Sequence, residues 1–344
     1  MKKNLKASAI SFPNIAFSKY WGKFNDGLTL AMNDSISMTL NGLQTETTVE
    51  FSPDYQEDQV FLGDLNQKPE LVSGSKKDRV VKFLDLLREK AGVAYKAKVF
   101  STNSFPTGVG VASSASAFSA LALAATEALG ILDNLKDSPA EYKKQLSILT
   151  RLAGSGSACR SIEAGFVKWI KAEKSEDSYA VQLADENHWD LADLILIVAA
   201  DEKKTSSLEG HSIARTSPYY QARLEALKTT NANLEKAIAE KDFQLLGKEI
   251  EKEMFSLHMM AMTSEPSVLY WNGATVEIIK EVRALRESGL EVYMTLDAGP
   301  NPHLIIEAKN LAKLQAHFAK FPGVEKLFAA KIGKGAHLTN NHLF

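Results

Sequence analysis

The chain has 344 residues, enough for two domains or one large one, since single hydrophobic cores stop growing near roughly 250–300 residues. Hydrophobic residues make up 45% and charged residues 24%, an ordinary soluble composition, and a net charge of −2 excludes a global basic field for nucleic acid or an anionic membrane. Any anionic ligand must therefore meet local positive groups.

Cys159 is the single cysteine, which excludes an intramolecular disulfide and fits a reducing cytoplasm. Met1-Lys-Lys-Asn-Leu-Lys is not followed by the apolar core of a signal peptide. The longest apolar run, 117–129, is broken by Ser119, Thr126 and Glu127 and falls short of the ~20 residues of a membrane span.

Residues 1–60 read as β-rich, with alternating strands at 37–41 and 45–51. Phe12–Asp34 mixes Pro, Gly, Asn, Lys and aromatics and reads as a working loop, offering Asn14, Lys19, Tyr20 and Lys23. An amphipathic helix is predicted over 78–92 and a strand over 95–102. Next, Gly108, Gly110, Ser113, Ser114 and Ser116 feed an Ala/Leu-rich helix at about 113–129, too apolar for a surface helix. Glycines let backbone approach an anion, and free N–H groups at a helix start attract one. No Gly-Lys-Ser/Thr follows, so this is not a Walker A loop, and it reads equally as the serine cap of a buried helix.

A helix over 139–153 ends at Gly154. Gly154-Ser-Gly-Ser-Ala-Cys-Arg-Ser161 then starts a short helix on which Ser157, Arg160 and Ser161 share a face. Arginine beside hydroxyls suits a carboxylate or phosphate; a helix turn with a structural arginine is the competing reading. Cys159 reads as a packing residue. Strands are predicted at 166–172, 179–183, 191–199, 292–296, 303–306 and 324–330, and helices across 216–260, 272–288 and 308–320. Asp297 ends a strand against a Gly-Pro turn, placed for proton abstraction or as an Asx-turn residue. Strands and helices mix without a βαβ beat, so the fold class is α+β. A boundary near 185–190 divides the chain into 1–187 and 188–344.

Several segments in order resemble the diphosphomevalonate decarboxylase family, within the superfamily of small-molecule kinases that includes galactokinase, homoserine kinase and mevalonate kinase (the GHMP kinases). They are Asn14-Ile-Ala, Lys19-Tyr-Trp-Gly-Lys23, Asn33-x-Ser35-x-Ser37-x-Thr-Leu40, the loop from Asn103 to Ser114, Gly154–Ser161, Gly165-Phe-Val-x-Trp169, Lys203-Lys204, Thr216-Ser-Pro218 and Asp297-Ala-Gly-Pro-Asn301. The resemblance implies two lobes with a cleft between them, ATP and Mg2+, and a homodimer. It also implies phosphorylation of a tertiary alcohol followed by loss of that phosphate and of carbon dioxide.

Carried over by motif, the implied catalytic residues are Asp297, Arg160 and Lys23. Asn14, Tyr20, Trp21, Gly22, Lys23, Ser155, Gly156, Ser157, Ala158, Cys159, Arg160, Ser207 and Leu208 would line the substrate. Ser104, Gly108, Gly110, Ala112, Ser113, Ser114 and Lys204 would line ATP, with Lys203 an alternative to Lys204 and Ser113 the contact to magnesium. Three departures stand out: Gly108 in the phosphate loop, Ala31 in place of the usual proline, and Leu208 where the family has a polar residue able to reach the diphosphate. Leu208 keeps a monophosphate substrate open as an alternative, beside a kinase that stops at the phosphate ester and a sensor that binds without turnover.

Overall fold

The computed structural model describes residues 5–106, 113–198 and 207–344. In chain order the elements begin with β1 (Lys6–Ser11), β2 (Asn14–Ser18), β3 (Lys23–Asn25), β4 (Leu30–Ala31), β5 (Ser35–Asn41), β6 (Thr45–Ser52), β7 (Gln59–Asp64), β8 (Gln67–Leu71), α1 (Ser75–Ala91) and β9 (Lys96–Asn103). They continue with α2 (Ser113–Leu129), α3 (Pro139–Arg151), β10 (Phe166–Trp169), β11 (Ala180–Ala184), β12 (Leu191–Ile197), α4 (Ser207–Ile213), α5 (Tyr220–Glu240) and α6 (Phe243–Met262). The chain closes with α7 (Gly273–Glu287), β13 (Tyr293–Thr295), β14 (His303–Glu307), α8 (Leu311–Phe318), β15 (Lys326–Ile332) and β16 (His337–Thr339).

Two large sheets carry the molecule. One runs β16-β1-β6-β9-β7-β8, and its only parallel pair among the described strands is β7 with β9. The other runs β11-β10-β5-β15-β12-β14-β13, with β2 added against β5. The α+β expectation therefore holds. The division expected at 187/188 falls in the turn between β11 and β12. The second sheet crosses it through the β5–β15 pairing of Leu40 with Ile332, and β16 returns to β1.

Local physics accounts for the elements. Val80, Phe83, Leu84 and Leu87 form the buried stripe of α1, and Gly92 at φ 65 ends it. Pro139 opens α3 at its first turn, where no N–H is needed. Asp242 caps α6 by accepting the Leu245 N–H at 2.9 Å.

As its composition predicts, α2 is buried nearly all round, against the first sheet and α3. One core lies there, around Val49, Phe51, Phe83 and Leu121. A second, around Phe17, Ile36, Ile195 and Ile250, joins the second sheet to α5 and α6. A third, around Leu194, Val282, Leu304 and Phe318, seats α7 and α8. Among the described residues no helix is long and apolar enough to cross a membrane.

Candidate active site

The segment after α3 does form a short helix, of the 3-10 type, over Gly156–Ile162. At three residues per turn it stacks Ser157 over Arg160, and Asn14 bonds both Arg160 and Ser161. The three residues predicted to share a face thus meet one partner, Asn14. Gly156 is required here, because an added Cβ would stand 2.7 Å from the Trp169 ring. Ala158 and Cys159 are fully buried behind the helix and present no surface to a ligand. Burial pushes the Cys159 thiol up to about 12, so the sulfur is a packing group.

Arg160 is 3% exposed, yet among the described residues every hydrogen-bond partner it has is neutral. Its Nε donates to Asn14 Oδ1 at 3.2 Å and to Ser37 Oγ at 3.0 Å. Nη1 donates to Ser35 Oγ at 2.6 Å and Nη2 to Asn14 Oδ1 at 3.0 Å. Ser35 and Ser37 reach it together because alternate residues of β5 share a face. Of five N–H donors, one on each Nη remains for a ligand. A buried guanidinium without a bonded carboxylate is a strong local attractor for an anion.

Asn14 locks the geometry from β2, donating to the Ser157 carbonyl at 3.2 Å and to Ser161 Oγ at 2.8 Å. A line of hydroxyls leads away from it. Ser157 Oγ lies 3.2 Å from Ser155 Oγ, which lies 3.4 Å from Ser114 Oγ at the N-terminus of α2. The segment that carries the arginine and the N-terminus of α2, predicted from separate motifs, thus lie side by side.

Asp297 lies two residues past β13, in a turn closed by the Gly299 N–H on its own carbonyl at 2.7 Å. Lys19 Nζ donates to Asp297 Oδ1 at 2.6 Å, and the Asp297 charge lies within electrostatic range of Arg160. The expected catalytic lysine was Lys23. The structure instead puts Lys19 on the aspartate, while Lys23 begins β3 and pairs with Asp26 at 3.3 Å.

Between them lies Tyr20-Trp21-Gly22. Tyr20 packs on Trp169, with centroids 4.7 Å apart; burial raises its phenol well above the ordinary range, so it remains a donor. Trp21 belongs to a buried aromatic cluster rather than to an open surface. Gly22 takes φ +86, and a Cβ there would meet Tyr220 Oη at 2.3 Å.

Sequence reasoning assigned no role to His211. Its ring lies 4.2 Å from that of Tyr20 and 4.7 Å from that of Trp21, and its Nδ1 accepts the Gly22 N–H at 3.0 Å. That N–H, in a residue expected to line the substrate, is therefore engaged. Burial, aided by Lys23 and Arg223, pushes His211 down to about 3; burial and Lys19 do the same to His258.

Both rings are neutral when folded and titrate near 6.5 when unfolded. Their contribution to stability is whole above about pH 6.5 and is lost as pH falls toward about 3. Each will steepen the acid decline by up to about 1.4 kcal/mol per pH unit in urea titrations. His211→Gln keeps an acceptor for Gly22 and will remove one proton from that slope. An unchanged slope would mean that folded His211 is already charged.

The N-terminus of α2 opens onto a cleft of about 490 Å³ whose lining includes Thr47, Ser101, Asn103, Ser113, Lys76 and Arg79, and also Asp64 and Glu70. No acidic residue stands in the first turn of α2. Asn103 lines the cleft, whereas the hydroxyl of Ser104 accepts the Gln44 N–H at 2.9 Å. Gly108, Gly110, Ala112, Lys203 and Lys204 lie outside the described residues. Ser207 and Leu208 open α4, whose last residues carry His211 to Gly22.

The model of the diphosphomevalonate decarboxylase-like N-terminal domain matches residues 11–180, and that of the mevalonate 5-diphosphate decarboxylase C-terminal domain matches residues 193–340. The diphosphomevalonate decarboxylase of Saccharomyces cerevisiae is 34% identical, the match covering 94% of this chain and 85% of the relative. The chain belongs to the diphosphomevalonate decarboxylase family. The mevalonate diphosphate decarboxylase of Staphylococcus aureus superposes with a TM-score of 0.88 at 36% identity, over 97% of this chain and 98% of that one. A complex of MDDEF with MVAPP, AMPPCP and magnesium gives a TM-score of 0.88 at 38% identity, with the same coverage. The fold is thus the GHMP-kinase-like architecture of these decarboxylases.

Proposed function

We propose that the chain converts mevalonate 5-diphosphate and ATP to isopentenyl diphosphate, ADP, phosphate and carbon dioxide. One observation carries this reading: a buried arginine bonded, among the described residues, only to neutral groups lies within electrostatic range of Asp297, which Lys19 holds. A kinase acting on an alcohol needs only the second of these. A decarboxylase needs both, because it must hold a carboxylate beside the reacting hydroxyl.

Asp297 orients the 3-hydroxyl and takes its proton as the oxygen attacks the γ-phosphorus and the bond from that phosphorus to the bridging oxygen breaks, its electron pair leaving with ADP. Lys19 fixes which carboxylate oxygen faces the substrate and offsets its charge. The C3–O bond then breaks and phosphate leaves with the electron pair. Carbon 3 gains positive character, and the C1–C2 electrons collapse into a C2=C3 double bond as carbon dioxide departs. Arg160 holds the carboxylate in line for that collapse. Phosphoryl transfer has a loose transition state, so position and charge supply most of the rate.

The cleft at α2 suits ATP, with the hydroxyl-bearing Thr47, Ser101 and Ser113 and the N-terminus of α2 in its lining. Ser113 and Ser114 offer the oxygen ligands that a hard cation takes, and Mg2+ bound with the ATP phosphates would neutralise charge on them. We extend the proposal to a division at 187/188, a homodimer and a cytoplasmic location. The paired family models and the lone buried thiol support the first and last of these, and the family resemblance supports the dimer.

A second reading, the 5-monophosphate as substrate, draws on Leu208 and on the engaged Gly22 N–H. Mevalonate, its 5-phosphate and its 5-diphosphate, each with ATP and magnesium, separate the readings. The diphosphate will give the highest kcat/KM. A preference for the monophosphate would replace the substrate while keeping the chemistry.

A further inference from the structure

Lys19 is the first residue past β2, and the pairing of β2 with β5 shifts register between Ala16 and Ser18. The Lys19 carbonyl therefore leaves the sheet ladder and needs other donors. Two side chains supply them. Asn33 Nδ2 donates to it at 3.1 Å and Arg223 Nη2 at 3.0 Å. Arg223 stands on α5, and the same Nη2 is ion-paired to Glu253 on α6. Arg223 is 3% exposed and Glu253 2%, so neither reaches solvent.

We propose that the buried Arg223–Glu253 pair is the positioning device for Lys19, fixing its backbone so that the ammonium stays on Asp297. The planar guanidinium fork serves two partners at once, the Glu253 carboxylate and the Lys19 carbonyl, in one fixed geometry. The Lys19 charge also acts on Glu253, whose carboxyl burial pushes up against the opposing pull of Arg223 and Lys19. Arg223⁺, Glu253⁻, Lys19⁺ and Asp297⁻ thus alternate in sign from the α5–α6 seam to the reacting hydroxyl.

A purely structural pair predicts something different. Buried ion pairs contribute little beyond what apolar residues of similar volume supply. If the pair only joined α5 to α6, two methionines would replace it. They would not replace the Arg223 donor to the Lys19 carbonyl, which would keep only Asn33 of the two.

The test is the double variant Arg223→Met/Glu253→Met beside Arg223→Lys. It rests on the proposed reaction for its kinetic readout and on a crystal structure for its second. The double variant will melt within a few degrees of wild type. Its kcat will fall by about 10²-fold, the loss that a displacement of about 1 Å produces, with KM for ATP nearly unchanged. Arg223→Lys will recover part of the loss.

In the double variant's crystal structure the Lys19 Nζ to Asp297 Oδ1 separation will exceed about 3.5 Å. Wild-type kcat with the close contact retained would overturn the inference. If wild type itself turns nothing over, the proposed reaction fails, and the crystallographic distance alone still decides whether the pair positions Lys19.

Discussion

Asp297→Asn will lower ADP formation by roughly 10²–10⁴-fold, the contribution of one well-placed acid or base. The amide keeps the shape of the side chain and an oxygen for Lys19 Nζ, now 2.6 Å away. It loses the charge and the ability to accept the substrate proton. Nucleotide binding will persist, because the cleft at α2 is built from Thr47, Asn103, Ser113 and Ser114 and does not use the aspartate. Parallel measurement of ATP-analogue affinity and single-turnover ADP release checks both halves. Near-normal turnover would remove Asp297 from its role.

Arg160→Met will lower kcat/KM by a factor of about 30 to 5,000, corresponding to roughly 2–5 kcal/mol for truncating one partner of a buried charge pair. Much of that loss will appear in KM for the carboxylate substrate. The remainder follows from the oxygens of Asn14, Ser35 and Ser37, which lose their shared donor. Arg160→Lys will keep the charge but lose the two-pronged geometry, and will recover part of the affinity. An unchanged substrate KM in the methionine variant would rule out contact with the carboxylate.

The parts of the fold that write a local period were legible in the sequence. The stripe of α1, the apolar α2 and the run of β12 each bury a pattern visible within one segment. The strands β1, β2, β3, β4, β7, β8 and β16 were not read individually from pattern. β2 is buried along its whole length inside a segment of loop-like composition, β8 is short and polar, and β16 exists only because the chain returns to pair with β1.

The site divides the same way. Asp297 and Arg160 carried motifs, whereas the pairing of Lys19 with Asp297 joins a residue just past β2 to a turn near β13, which meet only in space. Ser35 and Ser37 had a readable signal, since alternate positions of a strand face one partner. His211, Arg223 and Glu253 had none, because their meaning lies in contacts with Gly22 and Lys19 far away in the chain.

The central claim is that one site both phosphorylates a hydroxyl and expels a carboxylate. ADP and carbon dioxide should be measured together in a single reaction of the chain with mevalonate 5-diphosphate, ATP and magnesium. Equal amounts of the two, formed at the same rate, are the predicted result. ADP without carbon dioxide, or neither product despite ligand binding, would contradict it.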